Sequence, residues 1–257
     1  MMKHILAIAG LATCLASSWA AAAGLTAEQI ADRNAAARGG LVAWRAVDSM
    51  RLTGQMDAGG SPAVRLPFEM SLKRPHKSRL ELQVRDQTAV QVYDGQQGWK
   101  LRPYLNRDDV EAFSPQEVRS AAADADLDGP LIDHARKGTR VELAGTDVVE
   151  GRKAYRLHLT RADGHQSNLW IDAATFLDVK MEGEPRRLDN KVHGVAVYFR
   201  DFKQVGGLMV PMTLETVVDG VRQARKISFQ DVKVNPPLAE ALFSKPQPAP
   251  VRQASAR

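Results

Sequence analysis

The residues from Val141 to Glu182 set the strongest limit on what this chain can fold into. Val141 and Leu143 alternate with Arg140 and Glu142. Tyr155, Leu157 and Leu159 alternate with Arg156, His158 and Thr160. Leu169 and Ile171 follow, and then Leu177, Val179 and Met181 alternate with Asp178, Lys180 and Glu182. Turn formers separate these runs at Glu150-Gly151-Arg152, Ala162-Asp163-Gly164 and Asp172-Ala173-Ala174. A period of two buries one set of side chains and wets the other. Antiparallel meanders read this way, whereas parallel strands covered on both faces are unbroken apolar runs. The stretch predicts four antiparallel strands that are apolar on one side, and that side needs a cover or a ligand.

The same signal continues on both flanks. Strand patterns run over 49–56 and then through Leu66, Phe68, Met70 and Leu72, which share one parity; Arg74 is next on that face before Pro75. Leu80 and Leu82 alternate with Arg79, Glu81 and Gln83, and Val90 and Val92 lead through the Asp94-Gly95 turn to Trp99. Further strands are predicted over 192–202, 208–216 and 221–234. The last is bulged, because Ile227 and Phe229 fall out of phase with Val232 and Val234. Helical patterns cover 26–37, where Thr26 and Gln29 form a capping box, and 41–47 around Trp44. An insertion near 106–137 has helical composition, with Ser114 as cap, Pro115 at the first position and a second short helix over 131–137. Eleven or twelve strands in one domain, 24–244, predict a mainly β (α+β) fold built on one large curved antiparallel sheet. Sheets of that size curl or close, and the helices then plug the concave face. The Pro-, Gln-, Ala- and Arg-rich segment 245–257 is expected to be a disordered tail.

Residues 1–23 read as an export signal, with Lys3 and His4 before the apolar run 5–15 and small residues at 20–23. The chain's one cysteine, Cys14, falls inside it. Plain export is the expectation, and a lipid anchor through Cys14 is the alternative. Without Cys14 no disulfide can form, so stability rests on the core. A formal net charge of +5 is spread among acids rather than blocked, which argues against a nucleic-acid partner; attraction to anionic lipid head groups remains compatible with it. Asp124, Asp126, Asp128 and Gly129 imitate the start of a calcium loop. The twelfth position is Ala135 rather than a bidentate carboxylate, so these acids read as caps and turns and no metal is assigned. The six histidines show no ligand spacing, and there is no nucleophile elbow, phosphate loop or dinucleotide fingerprint. An enzyme has no motif support, and no cofactor is implied.

Four motifs, in order, resemble one family. Leu72-Lys73-Arg74-Pro75 at a strand end is similar to the Lys-Arg-Pro segment of the LolA periplasmic lipoprotein carriers. Asp94-Gly95 followed by Trp99 is similar to their Asp-Gly hairpin, and Phe243-Ser244-Lys245-Pro246 to their ending. The stretch Asp126 to Leu131, then Lys137-Gly138 and Trp170-Ile171-Asp172, resembles the wider group of outer-membrane lipoprotein-sorting proteins. The resemblance implies an unclosed β-barrel with helices across its mouth and a cavity for the acyl chains of lipids or lipoproteins. It also implies a periplasmic location, an inner-membrane exporter, an outer-membrane acceptor and no integral membrane segment. Carried over, the cavity lining is Leu66, Phe68, Met70, Leu72, Leu80, Leu82, Trp99, Tyr155, Leu157 and Met181, and Arg74 is the latch that holds the cover shut. The same apolar side chains equally suit a filled core. The alternative is a non-catalytic module of the cell envelope that senses lipid or lipoprotein.

Overall fold

A computed structural model of the chain describes residues 24–57, 59, 64–221 and 224–247. The expected signal, Cys14 and most of the expected tail lie outside these residues. Thirteen strands form one antiparallel sheet in which β6, β5, β4, β3, β2, β1, β13, β12, β11, β10, β9, β8 and β7 are neighbours in that order. They are β1 (Ser49–Asp57), β2 (Arg65–Lys73), β3 (Lys77–Val84), β4 (Gln87–Tyr93), β5 (Gly98–Arg102), β6 (Arg107–Ala112), β7 (Arg140–Val149), β8 (Arg152–Thr160), β9 (Gln166–Asp172), β10 (Asp178–Leu188), β11 (Lys191–Val205), β12 (Leu208–Val218) and β13 (Arg225–Val234). Strands β6 and β7 do not pair with each other, so the curved sheet stays open, as the resemblance implied.

The four-strand meander is β7 to β10, with Leu157 opposite Leu169 and Tyr155 opposite Ile171 on the buried face. The bulge expected in the last strand is present: Thr53 faces Asp231 but Gly54 faces Phe229, which leaves Gln230 extra. Two more bulges, at Ala144 in β7 and Val179 in β10, add bend to the other half.

Two parts of the expected helical insertion differ. Residues 107–112 form the edge strand β6, in which Ala112 faces Trp99 and Val110 faces Leu101. Pairing with β5 overrides the weak strand propensity of Arg-Asp-Asp-Val-Glu-Ala. Residues 131–137 form successive turns rather than a helix; Asp133 takes a positive φ of 53° and Lys137 closes back on Asp133. The expected α-helices do form at α1 (Ala27–Ala37), α2 (Leu41–Arg45) and α3 (Pro115–Asp124). Thr26 with Gln29, and Ser114 with Glu117, make complete capping boxes. No helix among the described residues is long and apolar enough to cross a membrane.

Helices α1 and α2, with the turns at 127–138, lie on the concave face. Trp44, Val47, Ala35 and Ile132 pack on Met50, Leu52, Leu72, Val210 and Met212. Ile30, Ala31 and Leu131 pack on Leu157, Leu159, Leu169 and Ile171. The turn between α1 and α2 is seated by Gly39, at φ +112°, where an added Cβ would stand 2.5 Å from the Gly207 carbonyl oxygen. Gly54 is required for a second reason. Its missing side chain lets Phe68 and Phe229 meet edge to face at 5.9 Å, and a Cβ there would lie 2.0 Å from the Ser228 oxygen. Gly54→Ala is therefore expected to lower stability by about 1–3 kcal/mol, whereas Gly24→Ala, where a Cβ meets nothing within 4 Å, leaves it unchanged. Urea unfolding of the two variants checks this, and coincident midpoints would contradict the packing described.

Candidate functional site

Facing residues of antiparallel strands share a face, so register alone sorts the expected lining residues. Met56 faces Leu66, Gly54 faces Phe68, Leu52 faces Met70 and Met50 faces Leu72. Phe68 faces Leu82 and Met70 faces Leu80. Leu66, Phe68, Met70, Leu72, Leu80 and Leu82 therefore share the concave face, and Tyr155, Leu157 and Met181 join it from the meander, packed against the cluster under α1. Phe68, Leu72 and Leu157 are buried, while Leu66, Met70, Leu80, Leu82, Tyr155 and Met181 are partly buried.

Trp99 does not belong with them. It faces Val92, which faces Arg79, so it stands on the outer face of the sheet. There it packs with Val90, Val92, Leu101, Leu238 and Phe243 under the C-terminal segment. Lys73 holds that segment by donating to the Leu238 carbonyl at 2.8 Å, and Arg79 donates to the Leu242 carbonyl at 3.2 Å. Alternation marks Trp99 as buried but does not say on which side.

The concave space is filled by the chain's own side chains: Ile30, Ile132, Leu157 and Ile171 are fully buried there. Two shallow depressions among the described residues lie elsewhere. Each is open and about 350 Å³; one is lined by charged groups around Arg119, Arg161, His165 and Glu184, the other mixes Arg152, Asp178 and Arg200 with the apolar Val179, Phe199 and Phe202.

What ties cover to sheet is a polar bridge. Arg74 leaves the end of β2 and turns inward. Its Nε donates to the Val47 carbonyl at 2.7 Å, and one Nη donates to the Trp44 carbonyl at 3.2 Å and to the Asp128 carboxylate at 2.5 Å. Asp128 is only 2% exposed and also accepts from Lys137, which reaches Asp126 at 2.7 Å. The Asp128 carbonyl accepts from Arg38 Nη1 at 2.9 Å. Arg38, at the end of α1, lies over the Trp44 ring at 4.6 Å and stands 3.7 Å from Asp178 at the start of β10. Asn34 donates to the same Asp178 carboxylate at 3.1 Å and to the Phe176 carbonyl at 2.8 Å. The bridge thus runs from β2 through the turn at 126–129 and α1 to β10.

Its charges are set by burial against partners. Burial pushes the Asp128 carboxyl up, but the hydrogen bonds from Arg74 and Lys137 outweigh it and hold the group below the usual carboxylate range. Burial wins at Asp126, against Lys137, and at Asp178, against Arg38 and Asn34, so both are raised. Of the acids that imitate a calcium loop, Asp126 and Asp128 are thus engaged by Lys137 and Arg74. Among the described residues no group of three or more His, Cys, Asp or Glu is placed to hold a metal ion.

Sequence comparison is silent on this chain: no protein-family model matches it, and no curated protein does. Solved structures do match in fold. An outer membrane lipoprotein-sorting protein domain from Vibrio parahaemolyticus superposes with a TM-score of 0.58 at 14% identity, covering 85% of this chain and 96% of that one. A LolA superfamily protein from Nitrosomonas europaea gives 0.56 at 15% identity, covering 86% and 99%. A DUF1329 family protein from Desulfovibrio piger gives 0.56 at 13% identity, covering 85% and 95%. The open curved sheet with a helical cover is the LolA-like fold, and this chain has it.

Asp128 yields a pH signature. A carboxyl held below its unfolded value adds stability that is complete above about pH 4 and is lost as pH falls through the lower folded value. Asp128→Asn is expected to destabilise by roughly 1–3 kcal/mol at neutral pH, and the gap from wild type should narrow steadily below about pH 4. Chemical denaturation at a series of pH values measures it; a gap that does not change with pH would exclude the charged pairing.

Proposed function

We propose that the protein is a non-catalytic carrier of acyl chains, from lipids or lipoproteins, seen here with its cavity shut. The observation that carries this reading is Arg74. An arginine at a strand end would ordinarily extend to water, yet this one sends its donors into the cover, to Trp44, Val47 and Asp128. In this reading Arg74 is the latch. Opening moves α1, α2 and the turns at 127–138 off the concave face, and a guest acyl chain takes their place against Phe68, Leu72 and Leu157. The fold shared with lipoprotein-sorting and LolA superfamily proteins supports it. Export by residues 1–23, a periplasmic location, a chaperone-like hand-over and delivery from an inner-membrane exporter to an outer-membrane acceptor belong to the same proposal, as does the treatment of 24–244 as one domain.

A shut cavity binds in proportion to the fraction of molecules that are open. Weakening the latch should therefore tighten binding, the reverse of what removing an ordinary contact does. Arg74→Gln is expected to lower the apparent Kd for a fluorescent fatty acid roughly tenfold, the ratio that corresponds to about 1.4 kcal/mol. Arg74→Gln with Asp128→Asn should gain little more, because both cut one network. Titration of the delipidated protein gives the answer. An absence of saturable binding by wild type and variants alike would refute the carrier.

The filled interior favours a second reading, a sensing module of the cell envelope whose output is a protein partner. Mass spectrometry of an organic extract from natively purified protein separates the two: stoichiometric lipid supports the carrier, and a specific co-purifying protein without lipid supports the module.

A further inference from the structure

Strands β10 and β11 outrun their neighbours. β9 pairs with β10 only between Asp178 and Met181, and β12 pairs with β11 only from Val195 onward. Beyond those limits Arg186 faces His193, Arg187 faces Val192 and Leu188 faces Lys191, so this stretch pairs only with itself. It is a two-stranded ribbon projecting from the sheet, closed by Asp189 and Asn190, both at positive φ, as a tight two-residue hairpin turn requires.

The ribbon has a firm base. His193 Nδ1 lies 2.6 Å from the Asp219 carbonyl oxygen, and the Asp219 N–H donates to the Gly194 carbonyl at 2.9 Å. These contacts fasten it to the turn between β12 and β13. Its tip is unlike an ordinary solvated hairpin. Val192 is 66% exposed and Leu188 38% exposed, on opposite faces of the ribbon. Arg186, Arg187 and Lys191 flank them, are exposed, and have no ion-pair partner among the described residues, while Asp189 is the one acid between Arg186 and His193.

The setting extends the pattern. In an antiparallel sheet successive turns alternate between its two ends, so the tip lies on the rim opposite Arg74. Nine large apolar side chains are exposed among the described residues, and six of them share this rim: Val64, Tyr104, Leu105, Leu188, Val192 and Val221. Pro185 at the ribbon's base lacks an N–H, which opposes growth of the sheet by an added strand. Apolar tips carrying unpaired cations complement an anionic lipid surface, where head-group phosphates meet the cations and the apolar atoms sink below them.

We infer that the tip of the β10–β11 ribbon, Arg186 to His193, docks this rim onto an anionic lipid bilayer. The assignment gives the carrier reading its membrane contact, but it is tested apart from it. The purified protein is sedimented with vesicles of phosphatidylcholine alone and of phosphatidylcholine with phosphatidylglycerol. It should co-sediment with the second and less so as salt rises. Leu188→Asp with Val192→Asp should weaken partition roughly tenfold, and Arg186→Ser with Arg187→Ser and Lys191→Ser should abolish the preference for phosphatidylglycerol. Circular dichroism and thermal melting confirm that these exposed changes leave the fold intact, and fatty-acid binding should be unaltered. A wild-type protein that ignores anionic vesicles, or a Leu188→Asp/Val192→Asp variant that sediments as wild type does, overturns the assignment. So does a tip that retains a soluble protein in pull-down while leaving vesicles alone. Vesicle binding without fatty-acid binding upholds the ribbon and removes the carrier.

Discussion

A carboxylate buried to 2% exposure cannot stand alone in an apolar interior, and Asp128 is the group around which this molecule's two layers are joined. It comes from the cover, while Arg74 comes from the sheet; Lys137 completes the pairing from a later turn of the cover. The apolar contacts beneath α1 and α2 are non-directional and would tolerate sliding. The Arg74 guanidinium is not so tolerant: it meets two carbonyls and a carboxylate in fixed directions. The apolar layer therefore supplies most of the adhesion, and the ionic bridge fixes where the cover sits.

That division follows from how the sheet is built. Thirteen strands could close, but β6 and β7 remain apart. Both edges carry charge, Arg107, Asp108, Asp109 and Glu111 on one and Arg140, Glu142 and Asp147 on the other, which discourages pairing between edges. Bulges at Gln230, Ala144 and Val179 concentrate the bend. The result is a deep apolar trough with no second sheet to face it, and about three short helical or turn segments must cover it. A cover so small is secured by few contacts, which is why one strand-end arginine can matter.

The strands and their buried parity were legible in the sequence because period two is written locally, in residues that need no distant partner to reveal it. Arg74 could be placed on the concave face by the same count. Trp99 could not, since alternation is blind to which face is the trough, and the C-terminal segment that covers it lies far along the chain. Strand β6 was hidden because its charged residues become a strand only through the ladder to β5. Asp128 looked like a turn or metal-loop acid. Its partner Arg74 is 54 residues away, and no local pattern announces such a pair.

A filled trough does not contradict a guest, provided the exchange is nearly balanced. An acyl chain moving from water gains about 0.8 kcal/mol per methylene, so a dozen methylenes gain about 10 kcal/mol. Lifting the cover exposes side chains such as Ile30, Trp44, Leu131 and Ile132, each worth about 1.5–3 kcal/mol when buried, for a similar total. Two large terms of that kind nearly cancel, and the remainder is decided by the polar bridge. In the proposed carrier the closed state keeps the Arg74 and Arg38–Asp178 contacts between cover and sheet and the open state would lose them, while the Asp128–Lys137 pair moves with the cover; the strength of those cross-layer contacts would then set how long a chain must be before it displaces the cover. For such a carrier, selectivity for cargo would reside less in the shape of the trough than in the strength of the contacts that shut it.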